Sequence, residues 1–184
     1  MSDWPRPHFG ELLVCDAHVV APATNTEPDF VGVDAIAEKH RAQVQQFCDW
    51  AAAHDWAAFH SHHYDWWTFP IDAPSSFGFG YTVYETERAQ LTAAPGFLNT
   101  LEEAARLLLL SWGWDAITNA PVAHPEPNQS WQHWPIRWSK CARSLELFGL
   151  TEIHASCIAY GRHLRQKGES FQYRGRDLGT EHGI

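Results

Sequence analysis

Six side chains between positions 54 and 65 are of the types that bind transition metals or move protons: His54, Asp55, His60, His62, His63 and Asp65. Imidazoles and carboxylates are ordinary ligands of Zn²⁺, Fe²⁺ and Mn²⁺, so the cofactor this cluster suggests is a divalent transition metal, and otherwise none. The spacing fits no zinc signature, and HExxH does not occur. On one continuous helix, His54 and His62 would lie about 80° apart, and Asp55 and His62 about 20° apart but two turns away. A single ion would need help from another element, such as His124, His133 or His154. The structural alternative is a helix end whose histidines cap carbonyls or stack on Trp56 and Trp66. Asp65, next to Trp66 and Trp67, can likewise accept hydrogen bonds from indole or backbone donors.

A second constellation interleaves rings and cations: Trp131, His133, Trp134, Arg137, Trp138, Lys140 and Arg143, joined by Arg162, His163 and Arg165. Such a mixture at a helix start can hold an anionic or aromatic ligand through stacking, ion pairing and free backbone N–H groups. It can equally be a packing seam whose cations rim the solvent. If the two constellations meet, the pocket falls where segment 62–69 touches the helix starting near Pro135, and its lining would be His63, Tyr64, Trp67, Trp134, Arg137 and Trp138. Arg137 would then anchor an anion, because its planar guanidinium makes paired bonds to a carboxylate or phosphate. The competing role for Arg137 is an ion pair with one of the chain's own acids. Gly78 and Gly80 follow a turn and lead into neither a phosphate loop nor a dinucleotide fingerprint, and no GxSxG elbow is present. No Cys–His pair is singled out for nucleophilic chemistry.

The stretch His60–Pro70, with Tyr64, Trp66, Trp67, Phe69 and Pro70, resembles the conserved region of opioid growth factor receptor-like proteins. That region has a tyrosine, a tryptophan and a Phe-Pro pair followed by a serine-containing turn, which Ser75 and Ser76 would match. Leu91-Thr92 and the leucine-rich stretch up to Trp114 would take the places of its next helical elements. The likeness covers about residues 54–115, and its motif is aromatic. It differs in a longer loop over 77–88 and in the Trp131–Trp138 segment, which has no counterpart. The resemblance implies an all-helical domain and brings no catalytic residues with it.

The elements that must position these groups follow from periodicity. With Ile36 as reference, Val44, Phe47, Ala51, His54 and Ala58 share one face of a helix over 34–59, with Asp34 as its N-terminal acid. Leu98, Leu101, Ala105, Leu108 and Trp112 line a helix over 98–112, which Thr100 and Glu103 would open as a capping box and Gly113 would end. Leu107, Leu109 and Leu110 make it apolar nearly all round, as befits a central core helix. Pro135 starts a helix over 136–148, and Thr151 caps one over 152–166; the short link between them predicts a hairpin. The fold class expected is therefore all-α, or mostly α. Its four main helices are joined by long Pro/Gly-rich loops, with room for one short strand or hairpin such as 81–84. One domain spans 1–184, with residues 1–30 an irregular packed arm (its run 11–16 a strand or packed segment) and 168–184 a polar tail.

The composition narrows the function classes. The chain has 184 residues, 45% of them hydrophobic and 19% charged, which suits one globular domain. Its ten tryptophans are an unusual aromatic load, and each carries an indole donor that favours half-buried sites. A net charge of −9 argues against nucleic-acid binding. The charge is uneven: residues 1–130 carry 17 acids against 5 Lys and Arg, while 131–184 carry 8 bases against 5 acids. Four cysteines without a CxxC pair point to a reducing, cytoplasmic setting, and no signal peptide is read at the N-terminus. The longest greasy run, Leu107–Trp112, is too short to span a bilayer. Taken together, these features favour a non-enzymatic helical interaction or ligand-binding domain, its partner a protein or a small anionic or aromatic molecule. The alternative is a metal-dependent enzyme using part of the His54–Asp65 cluster. Oligomeric state is left open.

Overall fold

The computed structural model describes residues 22–76 and 78–184. The arm over 1–21, including the run at 11–16, and residue 77 lie outside them. α1 (Val33–Ala52) carries Asp34 in its first turn and buries Ile36, His40, Gln43, Val44 and Phe47 along one stripe. It does not continue to residue 59. His54 turns the backbone left-handed at φ 54°, and the Asp55 carboxylate accepts the Ala58 N–H at 3.2 Å. That cap starts α2 (Trp56–Ser61) as a separate short helix. α3 (Asp65–Thr68) follows, then a loop, then α4 (Glu85–Ala93). Buried Glu87 opens α4 by accepting the N–H of Tyr84 at 2.9 Å and of Asn25 at 3.0 Å.

α5 (Phe97–Ser111) is the central helix and buries Phe97, Leu101, Ala104, Ala105, Leu107, Leu108 and Leu109. It packs on α1, α4 and α7, so its second half is apolar nearly all round, while Asn99 and Glu102 in its first half are exposed. Each fully buried leucine contributes about 1.5–3 kcal/mol of transfer free energy. The expected Thr100–Glu103 capping box is absent. Gly96 opens the helix at φ 78°, Thr100 lies inside the first turn with its hydroxyl against the Phe97 carbonyl, and Glu103 pairs with Arg106.

α6 (Pro135–Leu147) and α7 (Thr151–Gln166) form an antiparallel pair joined through Gly149, whose φ of 70° favours glycine. Trp138 lies fully buried between them and donates its indole N–H to the Cys157 carbonyl at 3.0 Å. Gly161 makes room for that ring: a Cβ at this position would collide with Trp138 and with the Ile184 side chain.

The expectation of four helices with at most one strand or hairpin is corrected. The described residues hold eight helices and two two-stranded antiparallel sheets. Strand β1 (Trp114–Asp115) pairs with β2 (Ala120–Pro121), and β3 (Gln172–Tyr173) with β4 (Arg176–Asp177). The segment 81–84 is not a strand. Four of the helices span four to nine residues, too few turns for an apolar stripe to repeat, and the strands are two residues long. Residues 168–184, read from the sequence as a polar tail, instead form the β3–β4 hairpin and α8 (Leu178–Glu181). They bury Phe171 and Leu178 against the α6–α7 pair. No helix among the described residues is long and apolar enough to cross a membrane.

Candidate functional site

Where α2 ends, its last carbonyls lack intrahelical donors, and Arg137 supplies them. From the first turns of α6, its Nη1 donates to the Phe59 carbonyl at 2.8 Å and its Nη2 to the His62 carbonyl at 2.6 Å. The guanidinium lies between the rings of Tyr64 and Trp134, with its carbon 4.7 Å and 4.5 Å from their centroids. Tyr64 is fully buried and also donates to the Phe59 carbonyl, at 2.6 Å. Burial pushes its hydroxyl well above the ordinary tyrosine value.

One helical turn further along α6, Lys140 donates to the Asp65 carboxylate at 2.7 Å, and Arg137 Nε stands 4.0 Å from the other carboxylate oxygen. The side chains of Arg137, Asp65 and Lys140 are only 2%, 7% and 7% exposed. Burial draws the Lys140 ammonium below the usual lysine value, and the Asp65 charge resists that change. The Lys140 ammonium also stands 4.8 Å from the Trp66 ring centre.

This buried ion group forms the floor of a cleft of about 840 Å³. One wall is the segment 63–76, with His63, Trp66 and the Ile71–Ser76 loop; the second is α6, with Trp134, Ser139 and Arg143; the third is the C-terminal segment, with Tyr173, Arg174, Arg176, Leu178 and His182. The hairpin turn carries two positive-φ residues in succession, Arg174 at 50° and Gly175 at 79°, which suits a two-residue turn. Five basic residues line the cleft against four acids, in a chain whose net charge is −9. Arg143 is shared between Asp72 and Glu146, which raises its pKa, and Arg176 forms a paired bond with Glu181. Ser139 Oγ and His182 Nε2 meet at 2.9 Å, and burial lowers the His182 pKa, favouring the neutral imidazole.

Of the six side chains expected around a pocket, His63, Trp134 and Arg137 line this cleft. Tyr64 lies beneath it and Trp138 in the α6–α7 core. Trp67 is placed elsewhere, its ring 5.6 Å from Tyr81 and 4.6 Å from the Lys39 ammonium. Arg137 lies in ion-pair range of one of the chain's own acids, Asp65, as the competing reading had it, while its short bonds go to backbone carbonyls, which neither reading contained. In the rest of that constellation, Trp131 packs among Trp112, Tyr160 and Phe171, His133 lies 3.0 Å from Glu169, His163 is against Trp114, and Arg165 binds Asp177.

The candidate metal ligands are engaged separately. His54 lies 2.7 Å from Glu126, which also accepts the Trp56 indole; Asp55 caps α2; His60 donates to the Asn128 carbonyl at 2.8 Å; His62 donates to the Ala58 carbonyl at 2.9 Å. His63 stands beside the Trp66 ring, and Asp65 holds Lys140. Among the described residues no group of three or more His, Cys, Asp or Glu side chains is placed to hold a metal ion.

Sequence reasoning missed Ser139, His182 and the whole C-terminal wall. The one available signal was Tyr173-Arg174-Gly175-Arg176, a turn residue flanked by pairs that can extend. No family model matches the chain, and no curated protein or solved structure matches it either.

Proposed function

We propose that this chain is a ligand-binding domain whose ligand, a small anionic or aromatic molecule or the end of a protein chain, sits in the cleft between segment 63–76, α6 and the C-terminal hairpin. The observation that carries the reading is the cleft itself: about 840 Å³, walled by Trp66, Trp134 and Tyr173 and floored by a buried ion group. Concave sites with aromatic walls and a few fixed polar groups are where proteins hold small ligands. A flat apolar interface has less support, because the exposed large hydrophobics among the described residues are Val31 and Ile117. The excess of acids over the rest of the surface disfavours nucleic acid. The resemblance of residues 54–115 to the opioid growth factor receptor-like region belongs to the same reading, as a helical module whose aromatic segment is architectural. Burial of Tyr64 and Phe69 supports that role.

Nitrogen-15 NMR of the indole N–H groups provides the test. A ligand in the cleft should move the Trp66 and Trp134 resonances and leave those of Trp56 and Trp138 in place. A broad screen of anions and aromatic fragments that shifts neither Trp66 nor Trp134 would sink the proposal.

A further inference from the structure

The ion group on the cleft floor holds two cations and one carboxylate. Arg137 and Lys140 share Asp65, and the other acceptors of Arg137 are neutral: the Phe59, His60 and His62 carbonyls and the Tyr64 hydroxyl. One positive charge is therefore uncompensated at side chains no more than 7% exposed. Buried charges in folded proteins are normally paired, because little water is present to solvate them. The rest of the cleft does not supply the missing charge at the floor. Arg176 is matched by Glu181, and the second acid on Arg143, Glu146, is 52% exposed and screened by solvent. Among the described residues, Lys140 uses one of its three ammonium protons in a hydrogen bond, to Asp65, while it lines the cleft. The Trp66 and Trp134 rings flank this floor, each within 5 Å of one of the two cations.

We infer that the cleft takes a ligand bearing a single carboxylate next to a flat aromatic body, with the carboxylate at the Lys140 ammonium and the ring against Trp66 and Trp134. This inference rests on reading the cleft as a ligand site. One carboxylate balances the floor. A phosphate monoester carries close to two negative charges at neutral pH, which would overshoot the balance and repel Asp65. Two sources present the same chemistry, a free aromatic acid and a peptide ending in an aromatic residue.

Four probes test it in titrations followed through the indole N–H resonances: phenylacetate, phenylacetamide, and acetyl-Gly-Gly-Phe with a free or an amidated C-terminus. At least one acid should bind about tenfold or more tightly than its amide, the scale of one unit charge near a partly buried partner; which acid does so identifies the source. Lys140→Met makes the floor neutral and should erase the preference for the acid. Asp65→Asn leaves two excess charges and should enlarge it. Opposite shifts distinguish an electrostatic site from simple damage to the floor, which would weaken binding in both variants. Should Lys140→Met fail to fold, Asp65→Asn decides alone by the direction of its shift. Equal affinity for acid and amide, or the same direction of change in both variants, overturns this inference while the cleft remains a ligand site. Absence of binding by all four probes, acids and amides alike, overturns it; the broader screen of anions and fragments decides the reading of the cleft.

Discussion

Arg137 is held by groups that cannot follow it if it is replaced. Two carbonyls at the end of α2 and the ring of Tyr64 face its buried guanidinium, and Asp65 lies within reach of Nε. Arg137→Met leaves the His62 carbonyl without its donor and the Phe59 carbonyl with Tyr64 alone, and it removes one of the two cations beside Asp65. Breaking a buried charged network of this kind costs about 3–5 kcal/mol. Urea denaturation should show a loss of that size, and a loss under about 1 kcal/mol would place the residue outside the fold's framework. His40 is buried the same way but without charge. Its Nδ1 donates to the Thr68 carbonyl at 3.1 Å, since a carbonyl only accepts, and its Nε2 lies 3.0 Å from the Thr100 hydroxyl. Burial lowers its pKa to about 4. The unfolded chain, with an ordinary histidine near 6.5, binds the extra proton first on acidification. His40 should therefore favour the folded state fully above pH 6.5, and that contribution, about 3 kcal/mol, should fade as pH falls through 4. His40→Gln should flatten this part of a stability–pH curve. An unchanged slope would assign it to the partly buried histidines, such as His60 and His182.

At the scale of elements, how far the chain can be read depends on length. The segments behind α1, α5, α6 and α7 each repeat an apolar stripe over three or more turns, and that repeat is visible without coordinates. The break at His54 is hidden because Ala51-Ala52-Ala53 favours helix, and only Asp55, which reads as a metal ligand as readily as a cap, signals a new start. The pocket's two nearer walls could be guessed from rings and cations in sequence. What Arg137 binds could not, because its partners are carbonyls some 75–78 positions away and every residue has one. Nor does any sequence pattern mark the fit of Trp138 over Gly161, since a glycine within a helix is ordinarily a weakness. Gly161→Ala tests that fit. Its propensity gain is about 1 kcal/mol, but the added methyl group collides with a buried indole and with Ile184. Overpacking of this kind costs about 1–3 kcal/mol. A melting temperature below wild type is the expected result, and a stabilised variant would mean that the α6–α7 packing yields easily.

Across the whole molecule, charge and packing meet in the last seventeen residues. The C-terminal segment brings Arg174 and Arg176 to the cleft of an otherwise acidic chain, and it is attached chiefly through apolar contacts. Phe171 is 1% exposed, with its ring 4.7 Å from Trp138 and 6.0 Å from Trp131, and its carbonyl accepts the Leu178 N–H at 3.1 Å. Arg165 adds a paired bond to Asp177, but those groups are partly exposed and contribute little. Leu178 and the Ser139–His182 bond help to fix the third wall of the cleft, and its largest buried anchor is the Phe171 ring. Phe171→Ala removes it and leaves a cavity beside Trp138, at a cost of about 3–5 kcal/mol if the segment stays in place. If the segment instead lets go, the global loss is smaller, and the amides of 172–183 exchange with solvent much faster than those of α6 and α7. In either case Lys140, Asp65 and Trp66 keep their places, because none of them belongs to that segment. Hydrogen exchange and unfolding measured on the same variant separate the two outcomes. Slow exchange over 172–183, together with a stability loss below about 1 kcal/mol, would show that Phe171 does not hold the wall.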